Sequence, residues 1–260
     1  MAMSLKRVAL PLIVAVGLVV SVGLVTTPVT HAANAAESAV GLGNAGSFAV
    51  LAASTVTNTG ATVVSGDLGV NAGSAVTGFP PGTVNNGTIH AADTLSGLAQ
   101  NDLVTAYNDA AGRTPTTSGL TVLDGKSLVP GVYSGGALAL NGGTLTLNGT
   151  ANDVFIFQAA SGLVVASGSK VALLGGASAC NVFWQVASSA TIGTTASFVG
   201  TVMAHTSISV DNAATVNGRL LAQTGGVTLI NDTITRPTSC VTAAVGTPAT
   251  PVPGRARFTG

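Results

Sequence analysis

Charge is scarce in this chain. Asp, Glu, Lys and Arg make up 7% of its 260 residues, against about 25% in an ordinary globular domain. The nine basic and nine acidic residues cancel, so there is no basic patch of the kind that nucleic acid or an anionic membrane requires. Aromatics are few, at 4%, which leaves little for stacking platforms. Only two cysteines and three histidines are present, and none of them has metal-ligand spacing. A calcium-binding nonapeptide array would need an aspartate in every turn, and that is missing too. Disorder is also excluded, because 47% apolar residues with little charge can bury a core. No cofactor or metal is expected.

What is present is glycine, 34 residues of it, together with Ala, Thr and Val. The first residues read as a leader, with Lys6 and Arg7 before a long apolar run and Ala33-Asn34-Ala35 as an A-x-A cleavage site. Residues 1–35 are therefore expected to be removed, leaving an exported domain over 36–240 with no membrane contact. Residues 241–260, rich in Pro, Thr and Ala, read as a flexible tail. An exported chain permits a disulfide, and Cys180 with Cys240 is the one pair available.

The second half repeats with a period of 18 residues. "ATIGTTASFVGTVMAHTS" (190–207) lies over "ISVDNAATVNGRLLAQTG" (208–225), so that Ile192 falls on Val210, Ser197 on Thr215, Phe198 on Val216, Gly200 on Gly218 and Val202 on Leu220. Three short strands per turn make a three-faced β-solenoid. Alternation then sorts inward from outward side chains. On the first face Ile192, Val210 and Leu229 point in, while Val164, Thr191, Ser209 and Thr228 point out. On the second, Leu145, Val171, Phe198, Val216 and Ile234 point in. Its outward rows hold Thr144, Thr146, Lys170, Ala172, Ser197, Val199, Thr215, Asn217, Thr233 and Thr235.

The third face differs. Phe155, Phe157, Val182, Trp184, Val202 and Leu220 point in, but the outward Ile156, Phe183, Met203 and Leu221 are apolar as well. Water does not face such a row, so something covers it. Residues 91–112 supply the cover, a helix with Leu95, Leu98, Ala99, Leu103, Ala106, Tyr107 and Ala110 on one stripe and Gly112 as its stop. Residues 41–90 follow the strand logic more loosely and end in a turn-rich cap around Pro80-Pro81-Gly82 and Asn86-Gly87.

Catalysis finds little support. Asp211 and Asp232 align on successive coils and are the one candidate carboxylate pair, but turn residues bonded to backbone are the simpler reading. His90 and His205 stand alone, and "GLGNAG" at 41–46 lacks the βαβ unit that a phosphate loop needs. The chain is not expected to be an enzyme.

The motifs "LGNAGSFAVLAASTVTNTGATVVSGDLGV", "GFPPGT", "HAADTLSGLAQNDLVTAYNDAAGR", "GVYSGGALALNGGTLTLNG", "DVFIFQ", "NVFWQV" and "ATVNGRLLAQTGGVTLINDTIT" resemble, in this order and over about 41–238, the microbial ice-binding (antifreeze) proteins. That resemblance implies a right-handed, discontinuous β-helix with a long helix alongside, a monomer, and an ice crystal surface as partner. It further implies an ice-contact face bearing T-A/G-x-T/N motifs. Thr59-Gly60-Ala61-Thr62 fits this motif well, while Asn212-Ala213-Ala214-Thr215, Thr194-Thr195-Ala196-Ser197 and Asn141-Gly142-Gly143-Thr144 fit more loosely. The expected contact set lies on face two: Thr55, Thr57, Thr59, Thr62, Thr144, Thr146, Thr194, Ser197, Asn212, Thr215, Asn217, Thr233 and Thr235. Lys170 interrupts that row. Thr191, Ser209 and Thr228 on face one form the alternative, and an adhesion or carbohydrate-binding solenoid is the competing function.

Overall fold

The computed structural model describes residues 37–238 and Cys240. The expected leader and tail lie outside the described residues. Among these residues no helix is long and apolar enough to cross a membrane.

All strand pairings are parallel, and they stack into three faces. The 18-residue period reads directly as register: Ile192 pairs with Val210 on face one, and Ser197 with Thr215, Phe198 with Val216, Gly200 with Gly218 and Val202 with Leu220 along the next two faces. Faces two and three share one bent strand in these coils, Ser197–Ala204 and Thr215–Ala222. The bend is possible because it falls on glycine. Gly200 has φ +113°, and a Cβ there would lie 2.7 Å from Val182 Cγ1. A Cβ on Gly218 would lie 1.8 Å from the Gly200 carbonyl oxygen.

The coils do not follow chain order. Phe48–Ala52 pairs with Thr215–Ala222, Thr55–Thr59 with Val227–Ile230, and Val63–Ser65 with Thr233–Thr235. The amino-terminal coils are thus stacked on the carboxy-terminal one, as a discontinuous solenoid requires. The outermost coil at this end consists of Ala75–Thr77, Thr83–Asn85 and Ile89–Ala91. The turn-rich cap therefore contains strands of its own, and Phe79 closes over the core below them.

Two apolar clusters result. The interior is filled from all three faces, with Tyr133, Phe157, Trp184 and Phe198 stacked at centroid spacings of 5.5, 4.0 and 5.1 Å. Trp184 is fully buried and donates its indole N–H to the Val199 carbonyl. The second cluster lies outside face three, where Ile156, Phe183, Met203 and Leu221 pack against Ala99, Leu103, Ala106 and Ala110 of the helix. The 3-10 helix Gly43–Ser47 contributes Ala45 to it.

The helix spans Thr94–Gly112, three residues shorter at its start than expected, because Ile89–Ala91 continues the sheet. Asp93 caps it, accepting from Ser96 N at 2.8 Å while the Ser96 hydroxyl bonds back to the cap. At the other end Gln158, projecting from face three, donates to the Ala110 and Arg113 carbonyls at 2.8 Å each. Leu98 is not part of the buried stripe. It precedes Ala99, about 100° around the helix from the sheet, and is 47% exposed.

Candidate functional site

Six of the corners between faces one and two are sharp turns with one left-handed residue: Gly142, Gly168, Thr195, Ala213, Asn231 and Gly60. In Thr194-Thr195-Ala196-Ser197 and Asn212-Ala213-Ala214-Thr215 the second position takes positive φ, the third points inward, and the fourth opens face two. Ser169, Ala196 and Ala214 are indeed fully buried.

Two expectations are corrected here. Thr55, Thr57 and Thr59 lie on face one, not face two, since their strand pairs with Val227–Ile230 and Ala75–Thr77. Thr62 is fully buried. Three residues separate Thr59 from Val63, whereas two separate their partners Ile230 and Thr233. The surplus residue, Ala61, stays exposed, and Thr62 takes the inward place, where its hydroxyl accepts from Asp232 N at 3.0 Å. Thr194 and Asn212 stand in the corner itself, between the strands of the two faces.

Register then gives the outward column of face one. Thr191 pairs with Ser209, Ser209 with Thr228, Thr228 with Thr57, and Thr57 with Thr77. Five consecutive coils thus present a hydroxyl at the same position, flanked by Thr55 and Thr59. Among the described residues none of these five hydroxyls bonds to the protein, so all are left to the solvent. The column continues the other way through Val164, Ala139 and Val122, which are short and apolar. No charged side chain stands in it. Thr77 was missed in the sequence, although Ala75-Val76-Thr77 echoes Thr55-Val56-Thr57 at a spacing of 20.

Face two is broader but broken. One column runs Thr144, Lys170, Ser197, Thr215, Thr233, Val63, Thr83. The second holds Ser127, Thr146 and Ala172, then Val199, Asn217, Thr235, Ser65 and Asn85. Lys170 is exposed, and Val63 interrupts the threonines between Thr233 and Thr83. Part of its polarity is spent internally: Ser65 accepts from Asn86, and the Thr215 hydroxyl leans toward the Ala196 carbonyl at 3.5 Å.

The acids are engaged in turns. Asp232 is buried, and its two carboxylate oxygens accept from Ala214 N at 3.0 Å and Ile230 N at 2.7 Å. Burial, assisted by the nearby Asp211, pushes its carboxyl up to about 6. His90 bonds Asp93 at 2.6 Å and Thr88 at 2.8 Å. The Ser96 backbone N–H, followed by His90, holds Asp93 down at about 2. These contacts fix corners and the helix start. Among the described residues no cluster of His, Cys, Asp and Glu could hold a metal ion. Cys180 and Cys240 are joined, with Cα atoms 5.3 Å apart, tying the chain after face two's last strand to the excursion that precedes Val182–Val186.

Residues 50–235 match a family model described as Ice-binding-like. An ice-binding protein of Nostoc sp. (strain HG1) is 48% identical over 193 residues, covering 72% of this chain and 71% of that protein. One from Colwellia sp. is 42% identical over 215 residues, covering 77% and 85% respectively. A crystal structure of an ice binding protein from an Antarctic biological consortium superposes with a TM-score of 0.75 at 45% identity, over 77% of this chain and 92% of that one.

Proposed function

The chain belongs to the ice-binding-like family, and from that premise we propose that it is an exported, monomeric antifreeze protein that adsorbs to ice through face one. The observation that carries this reading is the unbroken column Thr191, Ser209, Thr228, Thr57 and Thr77, whose hydroxyls bond to nothing among the described residues. Successive coils place these groups ~4.7–4.9 Å apart, a spacing set by the backbone ladder rather than by the side chains. Threonine is stiff about χ1, so its hydroxyl and methyl hold their positions at little entropic cost. Such an array orders water in a fixed lattice that a crystal surface can incorporate. Bound molecules then force ice to grow with curvature between them, which opposes growth and recrystallisation.

Rigidity of the face comes from beneath. The stacked aromatic column and the fully buried inward residues Ile192, Val210, Val227 and Leu229 leave no slack under face one. Short side chains matter equally, because a long mobile lysine would disorder the bound water. That is the reason face two, with Lys170 in its row, ranks second. Face two does supply a neighbouring hydroxyl surface across the corner. Export is supported by the leader-like start of the chain and by the Cys180–Cys240 bridge. A sugar-binding reading gains nothing from Trp184, which is buried in the core.

Ice recrystallisation inhibition by the purified exported chain tests the proposal, with heat-denatured protein as the control. Inhibition at micromolar concentration or below, lost on denaturation, is the expected outcome. A folded protein that leaves grain growth unchanged would refute it.

A further inference from the structure

Arg219 is 4% exposed, an unusual position for a guanidinium. It projects outward from face three beside the bend at Gly218, where the amino-terminal coils meet the carboxy-terminal one. Its Nε donates to the Gly46 carbonyl at 3.1 Å and its Nη1 to the Thr201 hydroxyl at 3.3 Å. Among the described residues Nη2 has no partner. Arg236 lies at the same seam: a Cβ on Gly66 would stand 3.1 Å from both the Arg236 side chain and Ala49, whose strand pairs with that of Arg219. The Arg236 side chain packs on Gly66, and its Nε is buried without a hydrogen bond among the described residues.

Neither cation has a counterion among the described residues. All nine acidic side chains are among the described residues, and their ion pairs involve only Arg113 and His90. Burying an unpaired charge is costly, and two like charges near one another add to the cost. Burial, and after it the nearby Arg236, lowers the Arg219 pKa to about 10, so the guanidinium stays charged at neutral pH.

We propose that Arg219 and Arg236 together form a binding site for a small inorganic anion, held between the two guanidinium groups at the seam of the solenoid. Guanidinium groups present paired N–H donors that suit an oxyanion or a halide. The anion would take up the donor left over at Arg219 Nη2 and the outer N–H groups of the Arg236 guanidinium, whose Nε is packed on Gly66. It would also bridge three parts of the chain that meet there: the 3-10 helix Gly43–Ser47 through Gly46, the strand Thr215–Ala222, and the segment leading to Cys240. The consequence is a seam that is stiffer and more stable with the anion than without it, whichever surface contacts ice.

Thermal unfolding at constant ionic strength, with sodium sulfate replacing sodium fluoride, reads this out. Arg236 is half-buried and bonded to little, so Arg236→Gln keeps the fold and reports the general effect of sulfate. The wild type is expected to gain about 4 °C more than Arg236→Gln at ten-fold excess over the dissociation constant. A bromide-soaked crystal should show an anomalous peak between Arg219 and Arg236. Equal sulfate gains in both proteins, or no peak at that position, would overturn the site. Neither readout involves ice, so failure here leaves the proposed function untouched, and failure of that function leaves this site standing.

Discussion

Faces one and three are built from the same coils and share the same interior, yet they meet opposite fates. Their inward rows are interchangeable in kind: Ile192 and Val210 on one, Trp184, Val202 and Leu220 on the other, all buried. The difference lies only in the outward row. Face three presents Ile156, Phe183, Met203 and Leu221, and a helix from the same chain seals it. Face one presents Thr191, Ser209, Thr228, Thr57 and Thr77, and nothing among the described residues covers it. A solenoid thus separates two decisions. The inward period makes the fold, and the outward row chooses what the fold touches.

Breaking the sealed face should cost stability and spare the open one. Phe183 is 1% exposed beneath the helix, so Phe183→Ala should lose about 3–5 kcal/mol in denaturant melts. Ice adsorption per folded molecule should stay unchanged, because face one lies across the core.

The corner joining faces one and two offers a gain instead. Thr195 holds φ +56°, where a β-branched residue is strained. Its equivalents Gly142, Gly168 and Gly60 are glycines. Thr195→Gly should therefore raise stability by about 1 kcal/mol, seen as a higher Tm without loss of ice activity.

The corner at Asn231 is read through pH. Asp232 is raised to about 6 from an ordinary 3.8, so the folded protein holds its proton more tightly than the unfolded chain does. Its contribution is fully present below pH 3.8 and is lost as pH rises through 6. The Tm should fall over that window, and the decline should be absent in Asp232→Asn, whose side chain does not titrate. Asp93 works in the opposite sense, since its stabilisation is lost only as pH falls toward 2.

The smallest change sharpens the open face. Val164 ends the hydroxyl column next to Thr191 and is 50% exposed. Val164→Thr extends the column by one coil and should strengthen ice adsorption modestly, with a stability change within about 0.5 kcal/mol.

The sequence made a good part of this legible, for a physical reason. An 18-residue period ties each residue to the one a coil away, so pairings such as Ile192 with Val210 and Phe198 with Val216 follow from it. The apolar outward row of face three likewise demanded a cover, and the single amphipathic stripe met that demand. Period carries no information across a break in the chain, however. That Thr57 sits beside Thr228 depends on an amino-terminal coil stacking on a carboxy-terminal one, a long-range pairing no local pattern encodes. The similarity of Thr59-Gly60-Ala61-Thr62 to Asn212-Ala213-Ala214-Thr215 drew the amino-terminal threonines to the wrong face. One additional residue in that corner moved Thr62 indoors. Arg219 and Arg236 gave no sequence signal at all, because their lack of counterions among the described residues is a fact of three dimensions.

The central claim is that the outward column of face one is the ice-contact surface, and one paired comparison tests it most directly. Ice recrystallisation inhibition should be measured for Thr57→Tyr and Thr215→Tyr beside the wild type, with circular dichroism confirming that both remain folded. Thr57→Tyr places a bulky ring in the middle of the unbroken column and should reduce activity at least ten-fold, while Thr215→Tyr, on face two, should reduce it far less. The reverse order would contradict the account and move the contact surface to face two.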